Sequence, residues 1–355
     1  MKRTLYSFAS GAALLLFASL PGTGVAHSRA SQTPPPQIAP REGKREVNGV
    51  QYHYLLAQGR GEPIVLLHGW GETSYMWRYV MPALIARGHT VLAPDLRGLG
   101  DTGRPATGYE KANVARDVHA LVAALGLGPR VAMAGHDMGG MVAYAYAAQF
   151  RDEVSRLVVM DVPLPGIAPW GEISAGPRTW HFRFFAVRDL PEMLITGQES
   201  EFIRWFRNVE AVNTGALTQT SEDYYAAAYA RPGALRGGFE YYRAFGQDEI
   251  DNRAFARQPL AIPVLGLGAS GGLGETMGVL LRNVATDVKT VIITRSGHWI
   301  AEEEPDQVVA ALAAFIPEPE DAGRSTKAKR PRALRHSAGG TSRAYPSMEG
   351  AGDAR

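Results

Sequence analysis

The string most able to do chemistry is Gly135-His136-Asp137-Met138-Gly139-Gly140. It follows the apolar run Val131–Ala134 and opens the apolar stretch Met138–Phe150. A tight strand-to-helix turn, with small residues on each side to let strand and helix approach, is the setting of a nucleophile elbow, here with Asp in the serine slot. An Asp that merely caps the helix is the plainer reading. A carboxylate is a poor acyl-transfer reagent, but it displaces a leaving group at a saturated carbon and so becomes an alkyl ester. Water must then attack the carbonyl of Asp137, and two backbone N–H groups must hold the oxyanion.

Partners for each step stand elsewhere in the chain. His68-Gly69-Trp70-Gly71 follows the run Ile64–Leu67, so the Trp70 amide can pair with that of Met138 as an oxyanion hole. His68 reads as a structural residue of that loop. The base comes last in chain order in such sites, and of the nine histidines His298, in Gly297-His298-Trp299, has that place. The others lie in the tails, before the elbow, beside it, or in the long segment that follows it. No carboxylate ends the run Val264–Leu267. The preceding run ends in Met160-Asp161-Val162-Pro163, so Asp161 is assigned to orient His298. A loop Asp bonded to local amides is its alternative.

The leaving group decides the reaction. A halide needs N–H donors, commonly a Trp directly after the nucleophile, where this chain has Met138. An epoxide oxygen leaves as an alkoxide and needs a proton donor. His181 and Tyr242 are available, although either is equally an ordinary packing aromatic.

These residues need a scaffold. Val91–Ala93, Leu157–Met160 and Val291–Thr294, with the runs above, read as buried parallel strands, and Lys111–Leu125 reads as an amphipathic helix. The alternation predicts an α/β sheet with helices on both faces. The gap from Met160 to Val264 is too long for a loop and is rich in aromatics, so a helical lid is expected there. The expected divisions are a core over 46–170 and 257–317, a helical cap over 171–256, a Pro-rich linker over 27–45 and a basic tail over 318–355. Residues 1–26 read as a secretory signal, with an uncleaved anchor as the alternative, which predicts a secreted or periplasmic protein without a stable membrane anchor.

Composition narrows the classes. The chain has 355 residues, 45% hydrophobic and 20% charged, enough for a large apolar core. Net charge is +2, but from Ala322 onward eight Lys/Arg face two acids, so the rest of the chain sums to −4 and is no nucleic-acid binder. The absence of Cys excludes disulfides and a thiol nucleophile. No cofactor or metal is called for.

From Arg45 to Ile316 the chain resembles the epoxide hydrolases of the α/β-hydrolase fold. It is similar above all to the secreted Cif-like members. The resemblance rests on His68-Gly69-Trp70-Gly71, His136-Asp137-Met138-Gly139, Trp180-His181-Phe182-Arg183-Phe184-Phe185, Phe239-Glu240-Tyr241-Tyr242-Arg243-Ala244 and Gly297-His298-Trp299. It implies that His181 and Tyr242 are the ring-opening pair, that Asp161 is the relay acid, that an epoxide and water are the substrates, and that the protein forms a homodimer. Two departures stand out: Asp161 replaces a Glu, and a disulfide near the base is missing. Fluoroacetate dehalogenases also carry an Asp elbow. Their carboxylate-binding Arg after the nucleophile is Met138 here, with Met141 three residues on. A haloalkane or haloacid dehalogenase, and a secreted binding protein that kept only the fold, are the alternatives.

Overall fold

The computed structural model describes residues 39–319. The expected signal 1–26 and all of the expected tail beyond residue 319 lie outside them. Eight strands form one sheet in the order β1-β2-β4-β3-β5-β6-β7-β8. They are β1 (Arg41–Val47), β2 (Val50–Ala57), β3 (Ile64–Leu67), β4 (Val91–Pro94), β5 (Val131–His136), β6 (Val154–Met160), β7 (Leu260–Ala269) and β8 (Ala285–Ile293). The pairs β1–β2 and β2–β4 are antiparallel, and all others are parallel.

The helices are α1 (Met81–Ala86), α2 (Lys111–Ala124) and α3 (Met138–Gln149) before the long insert. Within the insert lie α4 (Trp170–Ala175), α5 (Trp180–Ala186), α6 (Leu190–Ile195), α7 (Glu199–Glu210), α8 (Gln219–Tyr229), α9 (Ala234–Arg243) and α10 (Phe245–Ala256). The chain then continues with α11 (Thr276–Leu281), α12 (Ile300–Glu303) and α13 (Pro305–Phe315).

Strands β3, β4 and β5 are buried at every residue, because helices cover both faces of the sheet. Alternate side chains of β3 enter two separate cores. Val65 and Leu67 pack with α2, α3 and α11, whereas Ile64 and Leu66 pack with α1 and α13. Helix α3 runs beneath the sheet with every residue from Met138 to Ala148 buried, which explains its apolar sequence all round.

Two boundaries differ from those read in the sequence. The expected linker over 27–45 contains the start of β1, because Arg41–Val47 pairs with β2 through a hairpin at Asn48-Gly49. Both turn residues have positive φ, 50° and 75°, the backbone that a two-residue hairpin demands. Strand β1 is an exposed sheet edge of charged residues, so it carries no apolar period. At the opposite edge, β8 starts at Ala285 and ends at Ile293, rather than spanning Val291–Thr294. Its first half alternates with solvent and lacks the apolar run that marks a central strand.

The insert joins β6 to β7 and lies over the C-terminal end of the parallel strands, where the loops carrying Trp70, Asp137, Asp161 and His298 also emerge. Its inner side packs around Trp70, whose ring meets Phe185, Phe206, Tyr229 and Tyr242 at centroid distances of 4.6 to 6.0 Å.

Candidate active site

Asp137 sits between β5 and α3 with φ 49° and ψ −125°, a backbone conformation that costs a non-glycine residue about 1–3 kcal/mol. The turn is possible only because its neighbours are small. A Cβ on Gly135 would lie 2.1 Å from the Gly139 oxygen, and one on Gly139 would lie 2.3 Å from the Leu67 oxygen. The strain holds the carboxylate up into the space between sheet and insert.

Its two oxygens have different partners. The Trp70 N–H donates to Oδ1 at 2.8 Å. Met138 is the first residue of α3, so its N–H has no acceptor within the helix and is left available as the second donor. Oδ2 instead faces His298 Nε2 at 3.6 Å. The other ring nitrogen, Nδ1, lies 3.0 Å from Asp161 Oδ2. Asp161 is fixed in turn, because its Oδ1 accepts from the N–H groups of Ala269 (2.9 Å) and Leu273 (2.8 Å). The acid assigned from the end of β6 therefore reaches the base 137 residues away.

Burial opposes charge on Asp137 and on His298, and their pairing overcomes it. Burial raises the Asp137 carboxyl, but the His298 ring, His136 and the Trp70 amide hold it well below the usual carboxylate range. Burial lowers the His298 imidazole, and the two carboxylates push it well above its ordinary value. The His298 ring thus lies between two acids, Asp137 and Asp161, an arrangement that favours its protonated form.

Above Asp137 lies a cavity of about 380 Å³. Trp70, Phe182, Phe206 and Trp299 give it apolar walls, and His181 and Tyr242 both line it. Their rings are 5.8 Å apart, centroid to centroid. Burial pushes the His181 imidazole down to about 4, so that it is neutral near pH 7. Its Nδ1 is buried with no partner among the described residues. Burial and the Asp137 charge drive the Tyr242 hydroxyl well above its usual value, so it stays protonated. Two neutral hydrogen-bond donors therefore share a cavity with the Asp137 carboxylate. The four backbone and side-chain devices read from sequence (elbow, amide pair, base with its acid, and donor pair) come together in one place.

A family model described as the alpha/beta hydrolase fold matches residues 62–305. A soluble epoxide hydrolase from Corynebacterium sp. strain C12 is 37% identical over 278 residues, covering 76% of this chain and 96% of that relative. The chain belongs to the epoxide hydrolases of the α/β-hydrolase fold. Among solved structures, Cfl2 from Burkholderia cenocepacia is 38% identical with a TM-score of 0.75, covering 80% of this chain and 98% of that one. The Cif epoxide hydrolase from Acinetobacter nosocomialis is 27% identical with a TM-score of 0.72, over 79% of this chain and 90% of that one.

In this epoxide hydrolase, His68 is structural as expected: Nδ1 pairs with the Gly69 carbonyl at 2.8 Å and Nε2 accepts from the Leu96 N–H at 2.9 Å. Other residues around the site escaped the sequence reading. Glu72, wholly buried, faces His136 Nδ1 at 2.9 Å, and His136 Nε2 donates to the His298 carbonyl at 2.7 Å. Arg178 and Glu210 line the cavity and pair at 3.3 Å. The signals were present but local: a Glu directly after the Trp70 loop, and a run of three acids, Glu302 to Glu304, shortly after His298.

Proposed function

We propose that this epoxide hydrolase opens its substrate through a covalent ester on Asp137. Oδ2 attacks a ring carbon, the ring C–O bond breaks, and its electron pair goes to the oxygen. His181 and Tyr242 both donate hydrogen bonds to that oxygen, and one of the two gives it a proton. The product of this step is a hydroxyalkyl ester of Asp137. His298 then takes a proton from water, which adds to the Asp137 carbonyl carbon. The negative charge forms on Oδ1, against the amides of Trp70 and Met138. Collapse expels the diol oxygen, which takes a proton from the His298 imidazolium and leaves Asp137 as a carboxylic acid. That last proton passes through water to the donor that gave one up in the first step, so carboxylate and donor are both restored.

The observation that carries this reading is the division of labour at Asp137. One oxygen already rests on a backbone donor of the oxyanion hole, and the other is left to attack. A single carboxylate oxygen already held in this way has no use in a site that only binds.

Neutral or apolar epoxides fit this cavity better than haloacids. Among the described residues, Arg178 is the one Lys or Arg lining it, and Glu210 neutralises it. A second reading, a dehalogenase of the same fold, has no support at Met138, where the halide-binding Trp would stand. The composition of residues 1–26 supports export to the periplasm or beyond, and the N-terminal sequence of the mature protein recovered outside the cytoplasm tests it.

The activity is tested by incubating a terminal alkyl epoxide with pure protein and measuring diol. Wild type should form it, and Asp137→Ser, folded by circular dichroism, should not. Diol formation by the Ser variant at the wild-type rate would remove Asp137 from the mechanism.

A further inference from the structure

Helix α12 is four residues long and carries three consecutive acids on or after its end. Glu302 and Glu304 pair with arginines, Arg207 and Arg295 respectively. Glu303 is different. The residue is 3% exposed, and its carboxylate accepts from backbone N–H groups on two separate segments. Oε2 accepts from Val212 (2.9 Å), Asn213 (2.7 Å) and Gly297 (2.9 Å), and Oε1 accepts from Trp299 (3.1 Å).

Gly297 and Trp299 are the residues on either side of the base. The N–H of His298 itself donates to the Glu210 carbonyl at 2.9 Å, at the end of α7. Its carbonyl accepts from His136. Every N–H of the three-residue base segment is therefore held, and two of the three are held by Glu303. The same carboxylate grips Val212 and Asn213, just beyond α7, so it ties the base segment to the insert. An anion enclosed by backbone N–H groups is a rigid device, because charge-assisted hydrogen bonds are stronger than neutral ones and backbone donors cannot swing away. In a chain without cysteine, it does what a covalent tie beside the base would do.

We propose that Glu303 is a positioning residue for His298, holding the imidazole where it must meet the water that hydrolyses the ester. The inference rests on the covalent route proposed above. Attack by Asp137 needs its own strained turn and the donor pair, neither of which touches Glu303. Hydrolysis needs His298 within hydrogen-bond reach of a water at the Asp137 carbonyl, and a displacement of about 1 Å there costs up to about 100-fold. Loss of Glu303 therefore slows the second step and spares the first.

The test is rapid-quench single turnover with intact-protein mass spectrometry on wild type, Glu303→Gln, Val212→Pro and His298→Gln. Val212→Pro removes one donor to Glu303 while leaving the carboxylate in place, and Ala211 before it already has the extended backbone, φ −86° and ψ 150°, that a proline demands. The expected result is alkylation within twofold of wild type in Glu303→Gln and Val212→Pro, and accumulated adduct in His298→Gln. The lifetime of the adduct should lengthen tenfold or more in Glu303→Gln, and by a smaller factor in Val212→Pro. Adduct lifetimes within twofold of wild type in both variants would overturn the role. So would an equal slowing of both steps, which marks general loosening of the fold. Should Glu303→Gln not fold, Val212→Pro alone decides between these outcomes. Failure of His298→Gln to accumulate any adduct would overturn the covalent route itself, and the role of Glu303 with it.

Discussion

Asp137 and His298 exchange charge during the proposed cycle, and this has a consequence for pH. In the resting protein two acids favour the protonated His298 imidazole against burial. Alkylation converts Asp137 to a neutral ester and removes one of the two, so the imidazole falls back towards its ordinary range and sheds its proton. The base is thus generated by the first step. Asp137 is held below the usual carboxylate range, so it stays ionised and alkylation persists as the solution is acidified. Hydrolysis fails first, because acid keeps His298 protonated in the ester form. The expected outcome is adduct that accumulates below about pH 6.5 and disappears above it, read by quenching single turnovers across pH. His181 and Tyr242 act on the other side of the cycle. Tyr242→Phe and His181→Ala should each slow alkylation by roughly 10²- to 10⁴-fold while leaving the adduct's lifetime within a few-fold of wild type. Stopped-flow alkylation and adduct decay, measured separately, check this.

The elements are held together across the site by buried ion pairs. Arg207 of α7 is fully buried and meets Glu222 Oε1 of α8 at 2.8 Å, Glu302 of α12, and Glu72 Oε1 beside the Trp70 loop at 3.6 Å. The carboxylates keep its guanidinium charged well above the usual range despite burial. Lys111 of α2 and Asp248 of α10 form a second buried pair, at 2.7 Å. Removing one member of such a cluster leaves the others uncompensated. Arg207→Met should therefore destabilise the protein by about 3–5 kcal/mol, measured by denaturant unfolding, with α7 and the base segment loosened together. None of these pairs was legible in sequence. Arg207 and Glu302 are 95 residues apart, and neither has a local pattern. The elbow was legible because its constraint is local: Gly135 and Gly139 must be small for the turn to close. Asp161 was assigned because its run ends in a carboxylate where the run Val264–Leu267 does not, and the structure sets it within 3.0 Å of His298. Strand β1 was missed for the opposite reason. Exposed on both faces, it shows neither an alternating nor a continuous apolar pattern, and its one signal is the Asn48-Gly49 turn.

At the scale of the molecule, the parallel sheet delivers four loops to one end and the insert closes over them. The α/β class followed from the spacing of short apolar runs, because strands buried on both faces must be apolar throughout. The proposed chemistry rests on one change of type at the elbow, Asp where a Ser would stand, which suits a site that is alkylated rather than one that transfers acyl groups. The tie between base and insert was not legible, since it runs from a side chain to backbone amides 90 and 91 residues away. The central claim is that Asp137 itself supplies oxygen to the product. A single turnover in ¹⁸O-labelled water, with enzyme in excess over epoxide, tests it most directly. The diol takes its new oxygen from Oδ2, and solvent oxygen enters at the carbonyl carbon, so digestion and mass spectrometry should find the label on Asp137 and almost none in the diol. Label delivered straight to the diol, with Asp137 unlabelled, would mean that water attacks the epoxide directly and would contradict the account.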